Sequence, residues 1–297
     1  MKRFSTVFVM LAAFCWGISG GIGGVLITAG WSPFVVSFYR GSVGFFFVLL
    51  WLILRPKGSG LKNPRVWVWS AIAGLGVAGN FSFYFVSISH GSVAIAATLM
   101  YCAPVFVYLL SFVLKFERPT VPKWIAIAVV LAGIVLLTQI YNAEAASVTV
   151  IGIGAGLLSG LCYVLFIFGF KYAAPHGSPQ AILTIAFAVL AAVLIWPGQL
   201  DEYFTVVTSP DLSYFIGLGL LGAGISFILY IIGIHFTLPA VASIVAMVEP
   251  VTASLFSVLV LGETLAVMQI LGMVLILLAV TALSVYSNTG RKSSYMV

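Results

Sequence analysis

One carboxylate lies in the middle of an apolar run that is long enough to cross a membrane. The run extends from Ala240 to Glu263, with Glu249-Pro250 at its centre and Gly262-Glu263 at its end. A charged side chain inside the hydrocarbon layer is costly, so ionisable residues in spanning segments usually serve a substrate or an ion. Glu249 is therefore the first residue to consider for function.

Arg40 is the only basic residue placed well inside an apolar run. From the helical rise we expect Arg40 about 10 to 12 Å, and Glu249 about 18 Å, below the outer ends of their spans. Three interpretations remain open. Glu249 carries protons, because a carboxyl group removed from water holds its proton more tightly; or it forms a structural ion pair with Arg40; or it binds the ammonium group of a substrate.

Two matched pairs of polar residues also occur inside apolar runs, Asn80 with Tyr84 and Ser226 with Tyr230. Members of each pair are four residues apart and share one helix face, where they either line a cavity or hydrogen-bond neighbouring helices. The remaining predicted substrate-binding residues are apolar or aromatic: Trp16, Tyr101, Tyr163 and Met247. Aromatic walls would suit flat or apolar side chains.

Pro104 and Pro250 lie near the middle of their apolar runs. Each removes a backbone donor and frees a carbonyl one turn earlier, which predicts a kink. Whether these kinks also flex, as hinges for alternating access, stays open. Gly17, Gly20, Gly21, Gly23 and Gly24 give small-residue spacings that favour close helix packing.

The composition requires a membrane protein, because 62% of the 297 residues are hydrophobic and only 7% are charged. Lys and Arg occur singly or in small groups, which does not suggest binding to nucleic acid. Cys15, Cys102 and Cys162 lie in apolar runs without paired spacing. We therefore expect no disulfide, no metal and no cofactor.

Breaking the chain at charges, Pro and Gly predicts ten spans, approximately 4–30, 33–54, 66–88, 92–115, 121–141, 148–172, 179–197, 212–235, 239–261 and 265–286. The run at the N-terminus is interpreted as an uncleaved first span. Except for Arg40, Lys and Arg fall on one side of this topology and most acidic residues on the other. The positive-inside pattern predicts that both termini are cytoplasmic.

The chain also contains an internal repeat with an offset of 146 residues, which relates Pro104 to Pro250, Tyr84 to Tyr230 and Glu117 to Glu263. It predicts two five-helix units, residues 1–143 and 144–297, the second ending in a short cytoplasmic tail. Because five is odd, the second unit enters the membrane in the opposite sense. The fold class is thus an all-α membrane protein with ten transmembrane helices in an inverted repeat, an architecture used by secondary transporters.

These residues resemble the EamA-type ten-span exporters of the drug/metabolite transporter superfamily. The resemblance covers essentially the whole chain and rests on Trp16-Gly17, Pro33 followed by Arg40, Ala103-Pro104, and the segment from Glu249-Pro250 to Gly262-Glu263. It implies export of small metabolites, such as amino acids, across a cell (inner) membrane. The first half departs from the pattern, with Ala103 in the place of Glu249, so the halves are not functionally equivalent.

We therefore expect a secondary transporter, not an enzyme, that exports amino acids with an aromatic or apolar bias by alternating access around a central cavity. Drugs, nucleosides or sugar phosphates are alternative substrates. A channel and an intramembrane serine protease are remote alternatives; the latter rests on the short motif at Gly17-Ile18-Ser19-Gly20, with Ser19 as nucleophile. The expected partners are a small-molecule substrate and the lipid bilayer, for a monomer or homodimer.

Overall fold

The computed structural model describes residues 4–90, 93–116, 119–142, 149–198, 200–262 and 264–293, and all secondary structure in these ranges is helical. Several charged residues used in the topology prediction lie outside the described residues: Lys2, Arg3, Glu117, Arg118, Glu144 and Glu263. The prediction of an all-α protein is confirmed.

The described helices follow one another with short connections. They are α1 (Ser5–Thr28), α2 (Pro33–Leu54), α3 (Pro64–Ser89), α4 (Val93–Met100), α5 (Ala103–Val113), α6 (Val121–Thr138), α7 (Val150–Ala173), α8 (Pro179–Leu194), α9 (Leu200–Thr208), α10 (Leu212–Gly219), α11 (Ser226–Phe236), α12 (Pro239–Val245), α13 (Val248–Leu261) and α14 (Val267–Ser293). A π-helical segment, Leu220–Ile225, joins α10 to α11.

Eight helical stretches within the described residues are long and apolar enough to cross a membrane. Two further apolar helices, Pro179–Leu194 and Val267–Leu283, are shorter. Large apolar side chains cover the outside of the bundle, including Phe46, Leu54 and Leu259, which are 65%, 70% and 82% exposed. Such a surface is compatible with lipid and not with water, so the chain is a multi-pass membrane protein.

Helix starts follow from local sequence. Ser32 and Ser178 each precede a proline, and their hydroxyl oxygens accept hydrogen bonds from the backbone N–H groups of Phe34 and Ala181. Proline at the first helical position has no N–H to leave unpaired. At the other end of a span, Gly262 terminates α13 with a φ of 69°, a left-handed conformation that glycine adopts without a steric penalty.

Two spans are interrupted close to their prolines. α4 and α5 are separated before Pro104, and α12 and α13 before Pro250. Tighter turns occupy both gaps, where Cys102 N–H donates to the Leu99 carbonyl and Glu249 N–H to the Ala246 carbonyl, at 3.3 and 2.9 Å. Both predicted kinks are thus present, and hinge motion at them stays a prediction.

The connection before α10 differs from the expectation of a simple linker, because it contains the short helix α9. Tyr203 and Val206 on one side of α9 are buried, whereas Phe204 is 74% exposed. Tyr39 donates a hydrogen bond to the Tyr203 carbonyl, and Tyr203 donates one to the Leu194 carbonyl. α9 was missed because nine residues are too few for a span and two of them are acidic.

Helices from the first half of the chain pack mainly on helices from the second half. α3 packs on α7 and α8, while the unit formed by α10, the π-helical segment and α11 packs on α1 and α2. α6 packs on α14, α5 on α12, and α1 also on α13. Most of the core is one large cluster of buried apolar side chains between these helices, and a second, smaller cluster around Leu26, Val35 and Phe215 includes Tyr203 and Val206 of α9.

Candidate functional site

A cavity of about 570 Å³ lies between α1, α2, α3, α7, the α4–α5 break, α10, α11 and α13. The volume falls in the range of about 300 to 1,000 Å³ that is usual for small-molecule sites. Its walls are mainly apolar and aromatic, with a few polar and charged groups.

The lining residues place the cavity along the length of the bundle. Ile27, Thr28 and Pro33, where α1 ends and α2 begins, form its mouth. Trp16, Tyr163 and Glu249 form its floor, about 18 to 20 Å from the ends of their helices at the mouth side by the rise of 1.5 Å per residue. The cavity therefore extends from one end of the bundle to approximately mid-depth.

Aromatic rings close the bundle beneath the floor. The Trp16 ring lies 5.0 Å from the ring of Phe227, 5.1 Å from that of Tyr230 and 6.2 Å from that of Phe166, measured between centroids. Phe170 packs on the same group and is fully buried. This packed layer separates the cavity from the end of the bundle at which α1 begins.

Glu249 is held at the floor by the interruption of its span. It occupies the second position of α13, immediately after the break, so its carboxylate lies in the first turn of a helix. The partial positive charge of a helix N-terminus stabilises an anion there. The break thus lets a carboxylate face the cavity at a depth where the membrane offers no water.

Arg40 lies on α2 about 10 Å from the mouth end of that helix. Its Nε donates to the Gly222 carbonyl in the π-helical segment at 3.4 Å, and its guanidinium carbon lies 4.9 Å from the centroid of the Phe81 ring. Arg40 and Glu249 are both described, and no ion pair within 4.0 Å joins them. The structural ion pair considered from the sequence is therefore not formed in this conformation.

Asn80 borders the cavity and also joins two helices. Its side-chain amide nitrogen donates to the backbone carbonyl oxygen of Ser159 on α7 at 3.0 Å and to the Ser159 hydroxyl at 3.1 Å. The Ser159 hydroxyl in turn donates to the backbone carbonyl oxygen of Asn80 at 2.8 Å. Asn80 therefore matches both alternatives that the sequence left open. Tyr84, one turn nearer the mouth, and Tyr101, at the α4–α5 break, also line the cavity.

Seven of the predicted functional residues line the cavity together: Trp16, Arg40, Asn80, Tyr84, Tyr101, Tyr163 and Glu249. Their roles in binding or coupling stay predictions. Ser226, Tyr230 and Met247 differ, because they are fully buried and are not among the lining residues. Their predicted role in substrate binding is not supported by this cavity and stays a prediction. Pro104 and Pro250 also lie outside the lining, next to the breaks.

Depth explains why Tyr230 does not mirror Tyr84 in the cavity. By the helical rise, Tyr84 lies about 8 Å from the mouth end of α3, whereas Tyr230 lies about 27 Å from the mouth end of α10 and therefore below the floor. Phe81 and Phe227, which the 146-residue offset also relates, both line the cavity. The hydroxyls of Ser226 and Tyr230 have no hydrogen-bond partner among the described residues.

The structure adds wall residues that the sequence analysis assigned to helix packing or did not consider. Gly20 and Gly24 line the cavity, as do Phe81 and Phe227. The available signal was spacing, since Gly20 and Gly24 follow Trp16 at intervals of four. Ser19 also lines the cavity, but its hydroxyl donates to the Leu218 carbonyl at 3.4 Å, and a backbone acceptor does not activate a nucleophile.

A multi-pass helical bundle with a deep cavity that is closed at its floor is a membrane protein whose cavity has the size of a small-molecule site. The sequence profile of the EamA-like transporter family matches the chain twice, over residues 3–139 and 150–285. The chain belongs to this family of the drug/metabolite transporter superfamily.

Relatives in several organisms are named as transporters. An uncharacterized transporter of Archaeoglobus fulgidus is 32% identical over 66% of this chain and 69% of its own length. The uncharacterized transporter YwfM of Bacillus subtilis is 25% identical over 94% and 93%, and the uncharacterized inner membrane transporter YedA of Escherichia coli is 27% identical over 84% and 81%. A crystal structure shares the fold, with a TM-score of 0.74 over 96% of this chain and 99% of the other, at 19% identity.

Proposed function

We propose that this chain is a secondary transporter that exports amino acids with aromatic or apolar side chains. One observation carries the proposal: Arg40 and Glu249 border the same largely apolar cavity and are not joined by an ion pair. A charge removed from water is costly unless an opposite charge lies beside it. An α-amino acid offers both a carboxylate and an ammonium group and so would supply an opposite charge for each.

The depth of the two charged groups gives the substrate an orientation. Arg40 lies about 8 Å nearer the mouth than Glu249, by the helical rise. The substrate carboxylate would bind the Arg40 guanidinium, whose planar donors suit a carboxylate. Its ammonium would bind Glu249. Tyr84, Tyr101 and Phe81 would surround the side chain.

We also propose that the fold is a ten-span inverted repeat, with units at residues 1–143 and 144–297. Three observations support this architecture. The family profile matches twice, and the two shorter apolar helices bring the number of apolar stretches from eight to ten. The packing of α3 on α7 and α8 is also matched by the packing of α10 and α11 on α1 and α2, as a two-fold relation between the units would require. Ten spans would put both termini on the same side of the membrane, and the positive-inside pattern of Lys and Arg favours the cytoplasmic side of an inner membrane.

Alternating access follows from this arrangement. The cavity is open at one end and sealed by aromatic packing at the other, and an inverted repeat lets each half adopt the conformation of the other. The breaks near Pro104 and Pro250 are the proposed flexing points. The energy comes from the substrate gradient or from proton antiport at Glu249, whose carboxylate is free of a cationic partner within 4.0 Å among the described residues.

Counterflow in liposomes containing only the purified protein tests the proposal. Vesicles are preloaded in turn with unlabelled phenylalanine, leucine, threonine or alanine, and labelled phenylalanine or threonine is added outside. We expect accumulation of label that depends on the preloaded amino acid. Folded protein that shows no counterflow with any amino acid would overturn the amino-acid assignment. Drugs, nucleosides and sugar phosphates would then be tested in the same assay.

A further inference from the structure

One face of α1 borders the cavity over its whole depth. Trp16, Gly20, Gly24 and Thr28 follow at intervals of four residues, and all four line the cavity. Residues four apart lie above one another on a helix. Above the Trp16 indole, the backbone of α1 itself is therefore the cavity wall for two turns.

On α1, packing requires glycine at Gly17 and Gly21 but not at Gly20 or Gly24. A Cβ atom added at Gly17 would lie 2.6 Å from the Glu249 carbonyl oxygen, and one added at Gly21 would collide with the ring of Phe256. A Cβ atom at Gly20 meets no heavy atom within 4 Å. Gly20 also lies within the regular helix Ser5–Thr28. Since alanine is the better helix former, neither packing nor backbone conformation accounts for a glycine here.

The depth of Gly20 connects it with the two charged groups. It lies about 12 Å from the end of α1 at the mouth, whereas Arg40 lies about 10 Å and Glu249 about 18 Å from the corresponding ends of their helices. A side chain at position 20 would therefore project into the cavity between the depths of the two charges. Gly24 lies one turn nearer the mouth, outside this interval.

We infer that Gly20 is a specificity-determining residue, whose missing side chain sets the size of the largest substrate side chain that fits between Arg40 and Glu249. The inference rests on the proposed amino-acid transport. It makes the backbone of α1 a flat wall against which a ring or a branched chain packs. A methyl group at position 20 would occupy that space without disturbing a protein neighbour.

The test compares substrates of different size in liposomes containing Gly20→Ala or Gly20→Val protein. The readout is the ratio of kcat/KM for phenylalanine to kcat/KM for alanine. One methylene in a pocket changes discrimination by about 10-fold or more, so we expect this ratio to fall by about that factor in Gly20→Ala and further in Gly20→Val. Gly154→Ala on α7 is the matched control, because its Cβ also meets nothing within 4 Å and Gly154 does not line the cavity.

Each outcome has a distinct meaning. A lower ratio in the Gly20 variants, with the ratio unchanged in Gly154→Ala, supports the inference. An equal loss for both substrates, or an unchanged ratio, overturns it and leaves the transport function intact. Absence of counterflow by the unaltered protein with every amino acid overturns the proposed function itself, which the variants do not decide.

Discussion

At the scale of single residues, the two halves of the chain differ at the residue that follows the helix break. Glu249 follows the break in one half, and Ala103 occupies the matching position after the break in the other. Both breaks expose a helix N-terminus at mid-depth, but only the second half adds a carboxylate. Glu249 is thus the single acidic group among the described residues that line the cavity, and coupling to an ion at the cavity floor would depend on it.

Replacement of Glu249 by glutamine tests the coupling role. The amide keeps the size of the side chain but cannot exchange a proton, so we expect any stimulation of transport by a pH gradient to disappear while downhill exchange continues. Uptake in proteoliposomes with and without an imposed pH gradient measures this. Asp201→Asn on the exposed face of α9 is the control. Stimulation that persists in Glu249→Gln would remove the proton-carrier role.

Arg40 gives a second prediction at this scale. We expect Arg40→Gln to raise KM for amino acids by about 10-fold or more, because a hydrogen bond to a charged group contributes about 1.5–3 kcal/mol. Arg40→Lys keeps the charge but loses the planar pair of donors, so its KM should lie between those of the unaltered protein and Arg40→Gln. Transport kinetics measure the effect, with the exposed Arg65→Gln as control. An unchanged KM in Arg40→Gln would mean that the substrate carboxylate binds elsewhere.

At the scale of helices, α3 and α7 are joined by the reciprocal hydrogen bonds of Asn80 and Ser159. Both side chains are almost completely buried, at 5% and 0% exposed. Hydrogen bonds between membrane helices contribute about 0.6 to 1.7 kcal/mol. A link of this size at the cavity wall can hold two helices in register while the cavity is occupied or empty.

A double-mutant cycle measures that link. We expect Asn80→Ala and Ser159→Ala each to destabilise the protein in detergent by about 1 kcal/mol. The double variant should lose less than the sum of the two, because both substitutions remove the one bond between the side chains, whereas the two bonds to backbone carbonyls are lost independently. Thermal or denaturant unfolding of the four proteins gives the coupling energy. Strictly additive losses would show that the two side chains do not stabilise the protein through each other.

The helices themselves could be predicted from the sequence, because long apolar runs separated by charge, proline and glycine have few other structures. The breaks near Pro104 and Pro250 were predictable for the same reason, since proline removes a specific hydrogen bond. The π-helical segment was not, because LLGAGI carries no local signal for it. The carbonyl of Gly222 in that segment is the acceptor for Arg40. The depth of the cavity was not predictable either, so the sequence did not show that Tyr230 and Ser226 lie below its floor.

At the scale of the whole molecule, the mouth of the cavity is tied together across the chain. The Trp31 indole N–H donates to Asp211 at 2.9 Å, and Ser32 N–H donates to Glu202 at 2.7 Å. Tyr39 adds its bond to α9 at 2.6 Å. The α1–α2 connection and the region around α9 thus form one assembly at the mouth, although they are far apart in the sequence.

The proposed topology predicts that the cavity is accessible from outside the cell. In a variant in which Cys15, Cys102 and Cys162 are replaced by alanine, Thr28→Cys should react with a membrane-impermeant thiol reagent added to intact cells. Lys57→Cys, exposed in the α2–α3 connection at the opposite end of the bundle, should react only after the membrane is opened. The reverse pattern would invert the topology.

The position of the mouth also has a pharmacological consequence. In the proposed topology, which has both termini in the cytoplasm, the cavity would open away from the cell interior, and its floor at Trp16 and Glu249 would be reached from outside. An inhibitor of this conformation would then need no ability to cross the membrane. A bulky compound with an aromatic ring and an amine, seated from the exterior, would block the cycle and make the exported metabolite accumulate in the cell.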